Sequence, residues 1–321
     1  MNIVSGDWSM RGDPRAAVAL IVFRRPGLTK RVLEKILEAG VSRLYVIADG
    51  PRASVAHETQ QTKEVRRLFE GLDSSIEVIR IYAKENLGLR KRVLSGLDEV
   101  FSNEERVIIL EDDCLPSADF FRFCDEALER YGNDSRVALI SGNNFATKAT
   151  NGAVAYFTNR ANIWGWASWA DQWHEFRQAQ EGEEFHLTRR ESFRKLRGRI
   201  ERRNFKKLLD ASENLDSWAV DFAAHILMEE KLSLTPPANL VRNIGFGESS
   251  THTRFESWVD EIEAENIDLP VTWPERVELN EAKVVSEARA RFARLVLFPL
   301  GHPLVSLKRV LRYVKLSLRR D

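Results

Sequence analysis

The sequence predicts an α/β protein whose mainly parallel sheet is flanked by helices on both faces. Two observations support this class. Short apolar runs alternate with segments of helical periodicity along the first half of the chain, and turn-forming or charged residues follow each run closely. Strands that alternate with helices are joined by crossovers, which favour parallel pairing. Both faces of such a sheet are covered, so its strands are apolar throughout.

The first half of the chain contains five predicted strands and four predicted helices. The strands are expected at 16–23, 43–48, 76–82, 106–110 and 137–140. The helices are expected at 28–39, 58–70, 89–101 and 118–131, where apolar residues recur three or four positions apart. The second half is less regular, with tryptophan-rich, charged helical, amphipathic helical and Gly-rich segments at 164–173, 181–207, 217–230 and 240–253.

The composition narrows the class of protein. The 321 residues suffice for one large or two ordinary domains, and 43% are hydrophobic, which excludes a disordered chain. Lys plus Arg and Asp plus Glu both number 48, so the overall charge indicates no particular partner, and a nucleic-acid partner is not expected. Cys114 and Cys124 form neither a disulfide framework nor a zinc site, which favours a reducing, cytoplasmic setting. No apolar run has the roughly 20 residues of a membrane helix.

Three acids, Glu111, Asp112 and Asp113, directly follow the fourth predicted strand. In parallel sheets the ligand lies beyond the carboxyl ends of the strands. Carboxylates there suit Mg²⁺ or Mn²⁺, and such an ion neutralises the charge of a leaving diphosphate. The alternative is that the acids cap the next helix. Ser117 and Asp119 could do that without them, so we favour the metal site.

Polar residues also follow the first three predicted strands, and we expect them to converge on the same crevice. Arg25 could pair with a phosphate or stack on a base, or it could form a surface ion pair. Asp49 could accept hydrogen bonds from a base or a ribose, or it could be a turn residue of Asp-Gly-Pro. Asn86 could position the donor, or it could be a helix N-cap.

The segment 110–121 (LEDDCLPSADFF) resembles the Glu-Asp-Asp segment of N-acetylglucosaminyltransferase I and its bacterial relatives. The resemblance covers residues 16–255. It includes five more segments: 23–30 (FRRPGLTK), 49–52 (DGPR), 85–89 (ENLGL), 161–169 (ANIWGWASW) and 239–253 (NLVRNIGFGESSTHT). One departure is Arg24, where bacterial relatives often have Asn. The resemblance implies a metal-dependent, inverting glycosyltransferase of the GT-A nucleotide-diphospho-sugar transferase fold.

The resemblance also implies roles for the strand-exit residues. Asp113 would be the ligand of Mn²⁺ or Mg²⁺, while Glu111 and Asp112 would contact the ribose and the transferred sugar. Asp49 would contact the nucleobase or ribose, and Asn86 would lie at the donor. The donor is expected to be a UDP, GDP or dTDP sugar.

Inversion by direct displacement needs a general base that takes the proton of the acceptor hydroxyl. The family places an acid in a short segment before the Gly-rich loop, which here is 214–222 (NLDSWAVDF). Asp216 aligns best, and Asp221 is the alternative. The competing interpretation makes Asp216 the N-cap of a helix that begins at Ser217.

Two further side chains are candidates for donor contacts. Trp166 could stack on a sugar ring, although Trp164, Trp166 and Trp169 are also large enough to fill the core. We expect Trp166 near the donor sugar or the acceptor, and the others in the core. His252, in the Gly-rich loop, could contact phosphate or metal, or it could be a surface residue.

The end of the chain is basic. Residues 289–320 include nine basic residues, no acid and interleaved apolar residues, a composition typical of an interfacial helix on anionic lipid. Docking on the catalytic domain is the main alternative, and a nucleic-acid patch is the least favoured. We divide the chain into a polar arm (1–15), a catalytic domain (16–280) and a basic tail (281–321). Within the catalytic domain, 16–145 would bind the nucleotide and 146–280 the acceptor.

These expectations lead to a functional hypothesis with two alternatives. The chain would transfer a sugar from its nucleotide to the hydroxyl of a glycan or lipid-linked acceptor, in polysaccharide or glycolipid assembly. It would be cytoplasmic, with possible contact at the inner face of the membrane. One alternative is a non-catalytic nucleotide-sugar-binding module. The other is a nucleotidyltransferase, but that would need a Gly-rich phosphate loop with a lysine after the first strand, which residues 24–27 (RRPG) lack.

Overall fold

The computed structural model describes residues 16–72, 74–146, 154–212, 216–245, 262–268 and 270–301. The strands among them are β1 (Ala17–Val22), β2 (Arg43–Ala48), β3 (Glu77–Tyr82), β4 (Arg106–Glu111), β5 (Cys114–Pro116), β6 (Val137–Ser141), β7 (Tyr156–Thr158), β8 (Trp166–Trp169), β9 (Leu232–Thr235) and β10 (Val241–Asn243). Eight strands form one sheet in the order β3-β2-β1-β4-β8-β6-β9-β7, and β10 pairs with β5. Four of the seven pairings in the large sheet are parallel.

Helices cover this sheet. They are α1 (Pro26–Glu38), α2 (Glu58–Arg67), α3 (Leu89–Phe101), α4 (Asp119–Tyr131), α5 (Ala170–Glu181), α6 (Glu183–Thr188), α7 (Arg199–Ser212), α8 (Ala219–Met228) and α9 (Glu281–Gly301), with a 3-10 helix at Arg189–Lys195. The predicted α/β class is confirmed. All five predicted strands and four predicted helices of the first half are present, with ends shifted by three residues or fewer.

The core has two layers, one on each face of the sheet. Val18 and Leu20 pack towards α1, α2 and α4, whereas Ala19 and Ile21 pack towards α3, α5 and α8. Successive side chains of a strand point to opposite faces, so an unbroken apolar run supplies both layers.

The central strands bring their carboxyl ends to one edge. The parallel register of β1 pairs Val22 with Ala48 of β2 and Ile21 with Glu111 of β4. Asp49 and Asp112 therefore leave the sheet at nearly the same level, on either side of Phe23.

The tryptophan-rich segment contains a strand that the sequence analysis did not predict. β8 lies antiparallel between β4 and β6, where its four residues are all buried. A segment so rich in tryptophan fits a strand that is covered on both faces.

The last described helix, α9, packs on the body of the protein through residues between Val284 and Arg294. Val284 is 4% exposed and Glu287 is fully buried, and Glu287 accepts a hydrogen bond from Asn162. Arg294 Nη1 donates to the carbonyl of Phe145 at 2.8 Å. Residues 302–320 of the predicted tail lie outside the described residues. No helix in the described part of the chain is long and apolar enough to cross a membrane.

Candidate active site

A cavity of about 500 Å³ opens at the carboxyl ends of β1, β2 and β4. Its walls contain seven of the side chains selected from the sequence, namely Arg25, Asp49, Asn86, Glu111, Asp112, Asp113 and Asp216. The expected convergence of polar strand exits on one crevice is therefore present in the structure.

The acidic cluster lines this cavity together with Arg25. Arg25 Nη1 donates to Asp113 Oδ2 at 2.6 Å and to Asp112 Oδ1 at 3.3 Å. The backbone N–H of Phe23 donates to Asp112 Oδ2 at 3.3 Å. Arg25 thus forms an ion pair inside the cavity rather than on the surface. The acids do not cap α4, whose N-cap residue is Ala118 and has no side-chain hydrogen bond.

The cluster has more negative charge than Arg25 neutralises. Burial raises the pKa of Glu111 and of Asp112 well above the usual range, and the charge of Asp113 raises both further. Arg25 opposes these effects without cancelling them. Additional positive charge in the cavity would stabilise the ionised cluster.

The residues present fit a divalent cation that is shared with a ligand. In the described part of the chain, no group of three or more His, Cys, Asp or Glu side chains is arranged to hold a metal by itself. Mg²⁺ at a nucleotide, however, needs only one or two carboxylates besides the phosphates. Asp113, with Asp112 beside it, meets that need. Cys114 is buried, and burial keeps the pKa of its thiol well above the usual value, so it offers no thiolate ligand.

Asp113 is enclosed by the chain that follows β10. The N–H of Ile244 donates to the backbone carbonyl of Asp113 at 2.8 Å. A Cβ at Gly245 would lie 2.0 Å from Asp113 Oδ2, so this close approach requires glycine. The rest of the Gly-rich loop, with the candidate His252, lies outside the described residues.

Asp49 organises the turn that leads into α3. It is 6% exposed, and it accepts hydrogen bonds from the backbone N–H groups of Gly50, Leu87 and Gly88 at 2.8, 2.9 and 3.1 Å. The amide of Asn86 donates to Asp49 Oδ2 at 2.9 Å. The carboxylate of Asp49 therefore binds the turn, as its alternative interpretation expected. Asn86 does not cap α3, whose N-cap residue is Gly88, and its amide instead donates to Asp49 and to the carbonyl of Gly50. Both residues line the cavity.

Asp216 lies in the cavity and caps a helix, but not the one that the sequence analysis considered. α8 begins at Ala219, and its N-cap residue is Trp218. Asp216 Oδ1 instead accepts a hydrogen bond from the backbone N–H of Arg90, in the first turn of α3, at 3.1 Å. Asp216 is exposed and lines the cavity, with its Oδ2 beside Gly88.

The structure contradicts the alternative prediction that Asp221 is the general base. Asp221 is 1% exposed and does not line the cavity. It accepts hydrogen bonds from Arg90 Nη2, Arg189 Nη1 and Gln180 Nε2 at 2.5, 2.8 and 2.9 Å. A carboxylate enclosed by two arginines and an amide cannot reach an acceptor hydroxyl.

The expected position of Trp166 is also corrected. Trp166 is 1% exposed and packs against Trp218 and Phe222, with ring centroids 5.7 and 5.4 Å apart. It lies within β8, where both faces of the sheet are covered. Trp164, which precedes the strand, lines the cavity instead. Gly165 separates the two with a positive φ of 71°, which lets the chain turn from the cavity into the core.

Arg92 is a cavity residue that the sequence analysis missed. It lies on α3, is 7% exposed, and its Nε has no hydrogen-bond partner among the described residues. Burial lowers the pKa of Arg92. A buried guanidinium without a full set of partners is costly, so an anion in the cavity would stabilise it. In the sequence, the one indication that Arg92 is buried is its place next to Val93, on the apolar stripe of α3.

Comparisons with known proteins do not assign this chain to a family. No protein-family model matches it, and no curated protein matches it. Solved structures with some likeness include a UTP-bound UGPase from Acinetobacter baumannii, at 11% identity over 94% of this chain and 99% of that chain, with a TM-score of 0.35. Another is a UDP-glucose pyrophosphorylase complexed with UDP-glucose, at 15% identity over 44% of this chain and 62% of that chain, with a TM-score of 0.25. Likeness at this level supports no inference about activity.

Proposed function

We propose that this chain is an inverting glycosyltransferase that moves a sugar from a nucleoside-diphosphate donor to an acceptor hydroxyl. The observation that carries the proposal is a single cavity that contains both the Glu111–Asp113 cluster and the exposed carboxylate of Asp216. Direct displacement needs these two features together, one to bind the donor and one to activate the acceptor.

The donor would lie between the acidic cluster and the cationic walls. Arg25, Arg52 and Arg92 line the cavity and can pair with a diphosphate. Asp113, assisted by Asp112, would hold Mn²⁺ or Mg²⁺. When bound, that ion would neutralise charge on the departing diphosphate. Trp164 lines the cavity, and its indole would contact the sugar.

Asp216 would act on the acceptor. Its carboxylate would take the proton of the acceptor hydroxyl as that oxygen bonds to the anomeric carbon of the sugar. The bond from this carbon to the diphosphate oxygen would break on the opposite side, which inverts the configuration. The N–H of Arg90 orients the carboxylate.

The proposal also includes the acceptor, the location of the chain and the roles of its segments. The acceptor would be a glycan or a lipid-linked sugar in polysaccharide or glycolipid assembly, and the chain would be cytoplasmic. We also retain the division into a nucleotide-binding half (16–145) and an acceptor half (146–280), because Trp164 and Asp216 enter the cavity from the second half. The basic segment 289–320 would contact the inner face of the membrane.

Nucleotide binding is the first test. UDP, GDP and dTDP, each with and without Mn²⁺, would be compared by thermal unfolding of the whole chain. We expect one of them to stabilise the fold with Mn²⁺ present, by about 2.7 kcal/mol at a concentration one hundred times its dissociation constant. Asp113→Asn should abolish this effect, whereas Asp134→Asn, a control on an exposed Arg136 pair, should not. The proposal fails if no nucleotide stabilises the chain.

Turnover is the second test. Nucleotide sugars of the binding type would be screened for release of the nucleoside diphosphate. Asp216→Asn should keep donor binding and slow turnover by about 10²- to 10⁴-fold, whereas Asp210→Asn on the exposed face of α7 should change neither. Full activity of Asp216→Asn would refute the base assignment. Pyrophosphate release from a nucleoside triphosphate and a sugar phosphate would indicate a nucleotidyltransferase, and binding without turnover would indicate a binding module.

A further inference from the structure

A second cavity, of about 740 Å³, borders the candidate active site. Residues 159–163 line it, whereas the next residue, Trp164, lines the first cavity. Ala219 and Val220 of α8 also line it, whereas Asp216, just before that helix, lines the first. Two stretches of chain are therefore shared by the walls of both cavities, which places the second beside the proposed base.

The walls of this second cavity are mainly apolar. α7, α8 and α9 supply Phe205, Val220, Leu227, Val284 and Phe292, and Ile163 contributes from the segment before β8. Phe292, Leu208 and Val285 are 45%, 42% and 38% exposed. Exposed apolar surface with a polar rim marks a site of interaction, and it suits a hydrocarbon better than a sugar or a free phosphate.

Arg160 is the polar exception in this apolar cavity. Its side chain is only 10% exposed, and one of its nitrogens pairs with Glu201. The other two, Nε and Nη2, have no hydrogen-bond partner among the described residues. Burial lowers the pKa of Arg160 to about 10, so the group remains a cation at neutral pH. Buried donors without acceptors are costly, and a guanidinium matches the oxygens of a phosphate.

The charge around the cavity also favours an anion. Five of the described lining residues are arginines (Arg160, Arg197, Arg199, Arg289 and Arg291), and Glu201 is the only carboxylate among them. Glu281 and Glu287 pair with Arg197 and Arg291 from outside the lining. Five cations against three carboxylates leave the rim positive.

We propose that this cavity binds an amphiphilic phosphate, with the phosphate on Arg160 and the alkyl or isoprenoid chain against α7, α8 and α9. The apolar wall would bind the hydrocarbon chain of this ligand. The unpartnered donors of Arg160 would bind its phosphate. The further assignment of this ligand as the lipid carrier of the acceptor rests on the proposed function.

The basic end of this chain is a poor occupant of the same cavity. Residues 302–320 have apolar residues that could fill it, but they also include six Lys or Arg residues and no acid. Like charges at a positive rim would oppose their entry.

The test measures binding of dodecyl phosphate, below its micelle concentration, to the whole chain by titration calorimetry. We expect one site, with binding about tenfold or more tighter than for inorganic phosphate or for the uncharged dodecyl maltoside. Arg160→Lys keeps the charge and removes the free donors, so it should weaken binding by about tenfold. Ala223→Phe should also weaken it by filling the apolar space. Arg136→Lys, on an exposed ion pair, is the matched control and should bind like the wild type.

Several results would overturn the inference. If Arg160→Lys and the wild type unfold at the same temperature and bind dodecyl phosphate equally well, Arg160 is not the phosphate site. Equal binding of dodecyl maltoside would leave only an apolar groove. Much tighter binding by a chain that ends at residue 301 would mean that the basic end occupies the cavity.

The two proposals fail separately. If a nucleoside diphosphate binds with Mn²⁺ but dodecyl phosphate does not, the second cavity has another role and the proposed function stands. If dodecyl phosphate binds at Arg160 but no nucleoside diphosphate binds, the cavity assignment stands and its role in acceptor binding falls.

Discussion

At the scale of single residues, an arginine side chain already pairs with the carboxylates of the candidate metal site. Arg25 bridges Asp112 and Asp113, the two carboxylates best placed to share a divalent ion. Removing one member of a buried ion pair leaves an unpaired charge and is strongly destabilising. Arg25 therefore keeps the acids compatible with the folded state when no other cation is bound, and a bound metal would compete with it for Asp113.

Gly245→Ala tests how closely the backbone must approach Asp113. The added Cβ would lie 2.0 Å from Asp113 Oδ2, so the carboxylate has to move. We expect Mn²⁺-dependent nucleotide binding to weaken by about tenfold or more, as calorimetry would measure. Gly27→Ala is the matched control, because its Cβ would meet nothing within 4 Å. Equal nucleotide binding by the two variants would contradict this role of Gly245.

His225 should make the stability of the fold sensitive to acid. It is 2% exposed, and burial lowers its pKa from 6.5 to about 4. Between these values the unfolded chain binds the proton more readily, so the stabilising contribution is complete above pH 6.5 and falls as the pH drops towards 4. The full loss is about 3 kcal/mol.

Urea unfolding of His225→Leu at pH 7 and pH 5 measures this contribution. The variant should lose less stability than the wild type between the two pH values. His174→Gln, at an exposed position, should behave like the wild type. The prediction is wrong if His225→Leu and the wild type have the same pH dependence.

At the scale of elements, the first turn of α3 joins the two halves of the candidate site. Asp49, which follows β2, accepts hydrogen bonds from the N–H groups of Leu87 and Gly88, just before the first residue of α3. Asp216, from the second half of the chain, accepts one from Arg90 in its first turn. Carboxylates suit this position because the unpaired N–H groups of a helix N-terminus favour negative charge. The same turn thereby fixes the position of Asp216 relative to the β2 exit.

Asp221 stabilises this junction from inside. It links Arg90 of α3, Arg189 of the 3-10 helix and Gln180 of α5 to α8. Asp221→Asn would leave both arginines without their carboxylate and should destabilise the fold by about 3–5 kcal/mol in urea unfolding. Nucleotide binding should survive at temperatures where the variant is folded, and Asp210→Asn should unfold like the wild type. A stable variant that has lost only turnover would restore Asp221 as a candidate base.

At the scale of the whole molecule, the β4–α4 and β10 regions close one end of the sheet around the acidic cluster. β5 pairs with β10, so the segments that follow Asp113 and precede Gly245 are held together. The second half of the chain thus completes a site that begins at the strand exits of the first half. The apolar second cavity adjoins it, and α9 forms part of that wall.

Vesicle binding tests the proposed membrane contact. The whole chain should sediment with vesicles of anionic phospholipid at low salt, and added salt should weaken the association. A chain that ends at Gly301 lacks six of the nine basic residues of 289–320 and should bind much more weakly, at about 1 kcal/mol per basic residue. Vesicles of neutral phospholipid are the control. Equal sedimentation of the two chains with anionic vesicles would contradict a membrane role for the end of the chain.

The local pattern of this sequence determined the alternation of strands and helices and the set of polar residues at the strand exits. Apolar periodicity is a short-range property, and the carboxyl ends of neighbouring parallel strands must meet at one edge, so Arg25, Asp49, Asn86 and Glu111–Asp113 could be placed in one crevice. The identity of each side chain's partner was not accessible in this way. Asp216 and Asp221 lie on the same short segment, yet one caps α3 in the cavity and the other is buried among arginines.

Only the tertiary structure decided which tryptophan and which of the two acids line the cavity. Both depend on residues that are distant in the chain, since β8 inserts between β4 and β6 and Arg90 reaches across to α8. The burial of Arg92 and Arg160 depends in the same way on packing between separate elements. Sequence patterns determine which face of an element is buried, whereas long-range packing determines what each buried or exposed group meets.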